Sequence, residues 1–385
     1  MNFLIASDSY KGSLSAFEVG EAARQGILSA MPTAIVENSP MADGGEGTID
    51  VIALHQKTVR REINVFDPLM NPIVTSYVVF NHEKEEIALI ESARSSGLTL
   101  VPEEKRNPMS ANSFGLGEQI KDAVLSGYRN IKVFLGGSAT NDGGVGMLQA
   151  LGWKFYDKQG KEIGSYGNPL LEVVSFSDEE RMSLIDECQF VIVSDVMNPF
   201  YGKQGASYVF AEQKGAKTDE VVKLEAAMVR LAALFKETYG VNLQKVAGSG
   251  AAGGVGGALL SALKGVLKPG VEMVMELTNL EKKIREADVI VTGEGSLDEQ
   301  SLMGKVPIGV AKLAKKHGKK VIGIAGRVNT DLHNINQYID AAFSIQTECL
   351  PLPAALKREV AVKQIETTVE QVVRLMKTSH VMKGG

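Results

Sequence analysis

Short apolar runs alternate with longer amphipathic stretches at both ends of the chain. We interpret the apolar runs as buried strands; they lie at residues 3–6, 34–36, 288–292, 320–325 and 341–345. Stretches with apolar residues at helical spacing stand between or after them, at residues 13–30, 305–317 and 355–377. Ser13 or Ser15 is placed to cap the first of these helices. This alternation predicts a doubly wound parallel sheet of the flavodoxin or Rossmann type.

The middle of the chain has a different pattern. Two apolar runs, Val74–Phe80 and Glu86–Ile90, stand close enough together to predict a β-hairpin. Two further runs, Ile131–Leu135 and Phe190–Val193, predict buried strands. Prolines punctuate the segment just before this region. We therefore predict two α/β domains, a discontinuous Rossmann-like domain from residues 1–66 and 281–385 and an inserted mixed α/β domain at 67–280.

Composition narrows the class of protein. The 385 residues are 44% hydrophobic and 23% charged, and the net charge is −5, which argues against binding to nucleic acid or to an anionic membrane. No apolar run approaches the about 18 residues of a membrane span. Cys188 and Cys349 have no metal-binding or disulfide spacing. The first residues lack the features of a signal peptide, so we expect a cytoplasmic protein.

Glycine is the one unusual component, and its 40 residues cluster in loops. The richest loop, Gly136–Gly144, joins the predicted strand 131–135 to a predicted helix at 145–151. Glycines let a backbone approach a ligand and point its N–H groups at it, and a helix N-terminus favours phosphate. We interpret this loop as a phosphate site rather than a structural turn. Its candidate nucleotide-binding residues are Gly137, Ser138, Thr140 and Asn141.

Charged residues follow the predicted outer strands. Lys11 and Ser9 come directly after the first strand, where a lysine suits phosphate. Asp43 follows the second strand in a loop with three glycines and Glu46. Glu294 follows the strand at 288–292. In parallel sheets, ligands bind outside the carboxyl ends of the strands, so these residues are candidates for one site.

Further candidates follow the inner strands. Asp195 stands at the end of the apolar run 190–193, a common place for a Mg²⁺ ligand or base in phosphoryl transfer. Arg94 and Ser95 follow the run 87–90 and suit the carboxylate of a small organic acid. An ordinary surface arginine is nearly as good an interpretation of Arg94.

The segment Gly248–Gly254 has the spacing G-x-G-x-x-G, with Gly248, Ser249 and Gly250 at its start. That spacing alone is weak evidence, because a dinucleotide site also needs a strand directly before it, and residues 241–246 make a poor strand. We interpret the segment as a phosphate or backbone-packing loop. An NAD-dependent hydroxy-acid dehydrogenase and a two-domain binding protein that closes on an anion stay as alternatives.

Six motifs, taken together, resemble those of the type-1 glycerate kinase family. They occur in that family's order and span almost the whole chain, at residues 8–15, 40–47, 136–143, 194–199, 248–254 and 292–298. Tyr10 stands where that family usually has phenylalanine. The resemblance implies transfer of the γ-phosphoryl group of ATP to D-glycerate with Mg²⁺, at the 2-hydroxyl in preference to the 3-hydroxyl. It also implies two α/β domains with the active site in the cleft.

Within that reaction, each candidate residue has a hypothetical role. The loops at 136–143 and 248–254 cradle nucleotide phosphates, with Glu294 as a further nucleotide-binding residue. Asp195 holds Mg²⁺ or accepts the proton of the substrate hydroxyl. Lys11 stabilises charge on the transferred group, and Asp43 is the second carboxylate. Arg94, Ser95 and Ser9 bind glycerate. The sequence gives no indication of the oligomeric state.

Overall fold

In the computed structural model, which describes residues 1–83 and 85–381, the chain divides into two units. Unit 1 contains Met1–Asp43, Asp50–Gln56 and the residues from Val271 onward. Unit 2 contains Gly44–Ile49 and Lys57–Gly270. The domain boundaries predicted at residues 66 and 280 stay a prediction; in this division, residues 57–66 belong to unit 2 and residues 271–280 to unit 1.

The regular elements alternate between strands and helices for most of the chain. The strands are β1 (Asn2–Ile5), β2 (Ile35–Asn38), β3 (Val59–Phe66), β4 (Pro72–His82), β5 (Glu85–Glu91), β6 (Asn130–Phe134), β7 (Lys154–Tyr156), β8 (Ser175–Ser177), β9 (Gln189–Val193), β10 (Val266–Lys268), β11 (Val289–Leu297), β12 (Lys320–Val328) and β13 (Ala341–Ser344).

The α-helices are α1 (Ala16–Ala30), α2 (Thr48–His55), α3 (Ala93–Ser96), α4 (Phe114–Leu125), α5 (Val145–Ala150), α6 (Ala206–Phe210), α7 (Thr218–Tyr239), α8 (Val255–Ser261), α9 (Gly270–Leu277), α10 (Leu280–Glu286), α11 (Val306–Lys316), α12 (Leu352–Ala355) and α13 (Arg358–Val381). In the part of the chain that the structure describes, no helix has the length and apolar character needed to cross a membrane.

Unit 1 is built on a five-stranded parallel sheet in the order β2-β1-β11-β12-β13. This is the strand order of flavodoxin-like folds, in which the chain reverses direction across the sheet between the first and third strands. The predicted flavodoxin- or Rossmann-like parallel sheet is therefore confirmed. The switch point lies between β1 and β11, and this is where ligands bind in such sheets.

Two long helices cover one face of this sheet. Ser15 caps α1: its Oγ accepts a hydrogen bond from the Glu18 N–H at 3.3 Å, and Glu18 accepts one from the Ser15 N–H at 2.9 Å. This is the capping box that stops a helix from fraying. Gly26 lets α1 lie close to α13, because a Cβ there would stand 2.5 Å from the Glu366 carbonyl oxygen. Helices and sheet share one apolar core.

Unit 2 has a six-stranded mixed sheet in the order β10-β9-β6-β5-β4-β3. β5, β6, β9 and β10 are parallel, whereas β3 and β4 pair antiparallel. The predicted hairpin is the β4–β5 pair, with Val79 opposite Ala88. The predicted strands at 131–135 and 190–193 are β6 and β9. The prediction of a mixed α/β fold for this part of the chain is confirmed.

The sequence pattern missed the edge strand β3. Its residues, Val-Arg-Arg-Glu-Ile-Asn-Val-Phe, are mostly exposed, and only Val65 among them is buried. Charged side chains on an edge strand protect the sheet from pairing with other chains, and they also remove the apolar signal. The three-residue strands β7, β8 and β10 are too short for a period to be recognised.

Candidate active site

The loop after β1 is hydrogen-bonded to β11 at the switch point of unit 1. Ser7 Oγ and the Asp8 N–H both donate to the Gly293 carbonyl oxygen at 2.9 Å. Thr292 Oγ1 donates to the Ala6 carbonyl oxygen at 2.6 Å. These bonds hold the polar residues that follow both strands against one cavity of about 700 Å³. We call it the carboxylate pocket, after Asp8, Asp43 and Glu294 in its lining.

Asp8 is the most perturbed of these carboxyls. Its side chain is buried, and its Oδ1 accepts a hydrogen bond from the Ser9 N–H at 2.6 Å. Burial, followed by repulsion from Asp43, raises the pKa of Asp8 to about 7. Lys11 Nζ lies 3.6 Å from Asp43 Oδ2 and is largely exposed. The structure therefore brings the predicted residues Ser9, Lys11 and Asp43 together, and adds Asp8, which the sequence analysis did not select.

Glu294 forms a second polar group in the carboxylate pocket. Ser301 Oγ donates to Glu294 Oε1, and Lys305 Nζ lies 3.4 Å from Oε2. Burial raises the pKa of Glu294, although the hydroxyl and the ammonium favour the charged form. A buried carboxylate with one lysine partner can orient a ligand hydroxyl or amino group. Its predicted role with the nucleotide stays a prediction.

Part of the carboxylate pocket is lined by apolar side chains. They come from β12 and from the segment between β13 and α13, namely Val328, Ile345, Leu350, Leu352 and Leu356, and Arg327 and Gln346 line the cavity as well. A cavity of this size with an apolar wall and a few converging polar groups is typical of small-molecule sites. These apolar residues were not predicted from the sequence, because they belong to no recognisable motif.

In unit 2, the predicted glycine loop joins β6 to α5. Asp142, in the loop, is fully buried and accepts four hydrogen bonds, from the N–H and Oγ of Ser113 and from the N–H groups of Gly144 and Gly146, at 2.7 to 3.1 Å. Burial raises the pKa of Asp142, and the four donors compensate. Gly137, with φ +65°, adopts a conformation that favours glycine. Asp142 therefore holds the shape of the loop.

The predicted residues Ser138, Thr140 and Asn141 lie beside a lysine that the sequence analysis missed. Lys214 Nζ donates to Ser138 Oγ at 2.9 Å and to the Thr140 carbonyl oxygen at 2.7 Å. Asn141 Nδ2 donates to Ser207 Oγ at 3.2 Å. In residues 1–83 and 85–381, Thr140 Oγ1 and Asn141 Oδ1 have no hydrogen-bond partner although both are buried. Gly136, Gly137, Ser138 and Lys214 line a cavity of about 370 Å³, the glycine-loop pocket.

The second glycine segment packs against the first. The Gly143 N–H donates to the Gly253 carbonyl oxygen at 3.0 Å, and a Cβ on Gly253 would stand 2.0 Å from the Thr140 carbonyl oxygen. Ser249 Oγ is buried and donates to the Leu243 carbonyl oxygen at 2.7 Å. The Gly250 N–H donates to the Asn198 carbonyl oxygen at 3.0 Å. These contacts support backbone packing by the segment; phosphate binding by Gly248, Ser249 and Gly250 stays a prediction.

The remaining candidates have partners within unit 2. Asp195 Oδ1 accepts a hydrogen bond from the Gly270 N–H at 2.8 Å. Arg94 Nε donates to Glu91 Oε2 at 2.8 Å. Ser95 is buried, and its Oγ donates to Gln119 Oε1 at 2.9 Å. These bonds orient the three side chains, and their catalytic or substrate-binding roles stay predictions.

Mg²⁺ fits this donor set only with ligands from a substrate. In the part of the chain that the structure describes, no three His, Cys, Asp or Glu side chains are grouped to hold a metal ion. Mg²⁺ commonly takes one or two protein carboxylates and completes its shell with water and substrate phosphates. A carboxylate such as Asp195, fixed by a backbone N–H, suits that arrangement.

Comparison with known proteins places the whole chain in one group. The sequence profile described as the glycerate kinase family matches residues 3–377. A glycerate 2-kinase of Escherichia coli K12 is 42% identical over 358 residues, which are 93% of both chains. A glycerate kinase of Bacillus subtilis strain 168 is 38% identical over 99% of both chains. A crystal structure assigned to glycerate kinase 2 of Salmonella typhimurium LT2 superposes with a TM-score of 0.86, at 38% identity and 99% coverage of both chains.

Proposed function

The chain belongs to the glycerate kinase family and is a kinase, and we propose that it transfers the γ-phosphoryl group of ATP to the 2-hydroxyl of D-glycerate. The products are 2-phosphoglycerate and ADP. The observation that carries the proposal is the carboxylate pocket at the switch point of the unit 1 sheet, in a chain that glycerate kinases match from end to end. Among those relatives, the one from Escherichia coli is named as a 2-kinase.

In this reaction, the bond from the glycerate O2 to the γ-phosphorus forms and the bond from the γ-phosphorus to the β–γ bridging oxygen breaks. The hydroxyl proton must leave O2, and we propose that Asp8 accepts it. A general base works best when its pKa lies near the operating pH, and burial beside Asp43 raises the pKa of Asp8 to about 7. Asp8 also lines the carboxylate pocket, so its carboxyl is accessible to a bound substrate.

Positioning and charge neutralisation supply most of the catalysis in phosphoryl transfer. Lys11 ends in a flexible, largely exposed ammonium beside Asp43, and we propose that it stabilises charge on the transferred group. Asp43 lies 3.6 Å from that ammonium and, after burial, contributes to the raised pKa of Asp8. We assign Mg²⁺ to Asp195; the ion, when bound, neutralises charge on the nucleotide phosphates.

We propose that the nucleotide phosphates bind at Gly137, Ser138, Thr140 and Asn141. The support is the left-handed conformation at Gly137 and the buried Thr140 hydroxyl, which has no partner in the described residues and can donate to a phosphate oxygen. Gly253 packs against that loop, and we propose that Gly248, Ser249 and Gly250, at the start of the same segment, also bind nucleotide phosphate. Arg94 and Ser95 are proposed for the glycerate carboxylate and Ser9 for a glycerate hydroxyl, and Glu294 for a nucleotide hydroxyl.

The dehydrogenase alternative finds no support. A 3₁₀ turn, Leu243–Lys245, precedes the glycines of the G-x-G-x-x-G segment, whereas a dinucleotide fingerprint follows directly on a strand. The two enzymes compared above are glycerate kinases. We further propose that the enzyme works in the cytoplasm, where ATP is supplied and where its two free cysteines would stay reduced.

The test is ADP formation from MgATP in the presence of D-glycerate, with L-glycerate, lactate and tartronate as controls. We expect turnover with D-glycerate and much slower turnover with lactate, which has the same 2-hydroxyl and carboxylate but lacks the 3-hydroxyl. Addition of EDTA should abolish it. Turnover with another hydroxy acid but not D-glycerate would refute the proposed substrate. NADH formation from NAD⁺ and D-glycerate would refute the kinase.

A further inference from the structure

Lys214 is a buried cation without a matching anion. It ends the 3₁₀ turn Glu212–Lys214 and is 5% exposed. In residues 1–83 and 85–381, no carboxylate lies within ion-pair distance of its ammonium group. Asp142 is the carboxylate that most affects it, but Asp142 already accepts four hydrogen bonds from other groups. Burying an ammonium group costs free energy unless a counter-charge compensates.

The ammonium group of Lys214 has one more N–H donor than its two hydrogen bonds use. An ammonium group carries three N–H bonds, and two of them donate to Ser138 Oγ and to the Thr140 carbonyl oxygen. Both acceptors are neutral. Desolvation accordingly lowers the pKa of Lys214 to about 8. Because Lys214 also lines the glycine-loop pocket, the remaining N–H is available to a ligand in that cavity.

Backbone donors lie in the same pocket. In the described residues, the N–H groups of Gly136, Gly137 and Ser138 donate to no other backbone group, and all three residues line the cavity with Lys214. Successive backbone N–H groups around a left-handed glycine form a concave anion site. The following helix α5 has only six residues, so its dipole adds little. A positive charge for an anion must therefore come from a side chain.

From these contacts we infer that Lys214 is the cation of an oxyanion site in the glycine-loop pocket, where it binds a phosphate of the nucleotide or the carboxylate of glycerate. The inference rests on the proposed function for the identity of the two ligands, but not for the site itself. Lys214 also donates hydrogen bonds to the loop, at Ser138 and Thr140. The ligand and the loop therefore depend on the same ammonium group.

The experiment measures binding by calorimetry, with MgADP, D-glycerate and inorganic phosphate as separate probes. Lys214→Met keeps most of the length of the side chain and removes its charge, and Lys217→Met is the matched control on an exposed lysine three residues away. Because Lys214→Met loses one charged hydrogen bond to the ligand, the Kd of either MgADP or D-glycerate should rise by about 10- to 100-fold. Binding of inorganic phosphate should also weaken if the site binds a phosphate of the nucleotide, but not if it binds the carboxylate of glycerate. Lys217→Met should leave all three unchanged.

The variant Ser138→Ala distinguishes the charge of Lys214 from its hydrogen bond to the Ser138 side chain. It removes an acceptor of Lys214 but keeps the charge, and because Ser138 is itself a proposed phosphate-binding residue, the Kd should rise, although by less than in Lys214→Met. Thermal melting of each variant shows that the protein is folded at the temperature of the binding measurement. Binding of every probe within twofold of wild type in Lys214→Met would overturn the inference. Weakened phosphate binding in a protein without kinase activity would uphold the site and refute the proposed function.

Discussion

Replacing Asp8 by asparagine should stabilise the protein at pH 8 and abolish its turnover. The Asp8 carboxyl is buried beside Asp43 and receives one backbone hydrogen bond, from Ser9. Burial raises its pKa from the ordinary value of 3.8 to about 7. Between those two values the folded protein keeps a proton that the unfolded chain releases. The free energy of unfolding therefore falls as the pH rises toward 7, because the ionised carboxylate is poorly solvated in the folded state.

The size of the effect follows from the two pKa values. Each pH unit over which only the folded protein retains the proton lowers the free energy of unfolding by about 1.4 kcal/mol. Between pH 5 and pH 8 this interval is about two units, because an unfolded aspartate is ionised above pH 5 and Asp8 titrates near pH 7. The amide in Asp8→Asn keeps an acceptor for the Ser9 N–H and has no charge to solvate. The free energy of unfolding of the variant should therefore rise by about 3 kcal/mol relative to wild type between pH 5 and pH 8.

The assay is urea denaturation of wild type and Asp8→Asn at several pH values between 5 and 8, in EDTA so that no bound cation compensates the carboxylate. Glu348→Gln, at an exposed carboxylate of unit 1, is the control and should differ from wild type by a small constant amount. In parallel, kcat for ATP-dependent phosphorylation should fall by at least about 100-fold in Asp8→Asn. A stability difference that does not change with pH, or one that favours wild type at pH 8, would refute the argument from burial. Near-normal kcat would remove Asp8 from catalysis.

Two further substitutions test the unit 2 loops and the metal assignment. Gly253→Ala should cost about 2–4 kcal/mol in urea denaturation, because its φ is +65° and its Cβ would stand 2.0 Å from the Thr140 carbonyl oxygen. Gly127→Ala, at a left-handed glycine with nothing within 4 Å, should cost only about 1 kcal/mol; equal costs would show that the close approach is unimportant. Asp195→Asn should lower kcat by at least about 100-fold with little change in melting temperature. Partial recovery of kcat at higher Mg²⁺ would support Asp195 as a metal ligand, whereas unchanged kcat would remove Asp195 from the mechanism.

Local patterns were sufficient for most of the architecture. The parallel strands of unit 1 are short apolar runs with amphipathic helices between them, so alternation alone indicated the sheet. Ser13 or Ser15 was predicted to cap the first helix, and in the structure Ser15 caps α1 through a capping box with Glu18. β3 was not found because its charged residues serve an exposed edge. Recognition of that strand requires knowledge of its partner, β4, and the sequence does not give the pairing.

The residues of the candidate site also differ in whether their signal is local in the sequence or depends on long-range contacts. Each glycine-rich loop is one continuous segment, so the sequence alone indicated it. Asp8 stood in a quoted motif but was not selected, because its burial depends on contacts of its loop with β11; the Ser7–Gly293 bond spans 286 residues. Lys214 meets Ser138 across 76 residues, and nothing near it in sequence signals burial. For Arg94 the sequence signal is local but ambiguous. Its partner Glu91 lies three residues away, so the same residues suit either an internal ion pair or a carboxylate-binding site.

The central claim is that this kinase phosphorylates the 2-hydroxyl of D-glycerate. The most direct measurement is to incubate the enzyme with MgATP and ¹³C-labelled D-glycerate and to identify the product by ³¹P and ¹³C NMR. We expect phosphorus coupling at C2 and its proton, with ADP formed in equal amount, as for 2-phosphoglycerate. Phosphorus coupling to the C3 methylene, as for 3-phosphoglycerate, or ADP formation without any phosphoglycerate, would contradict the account.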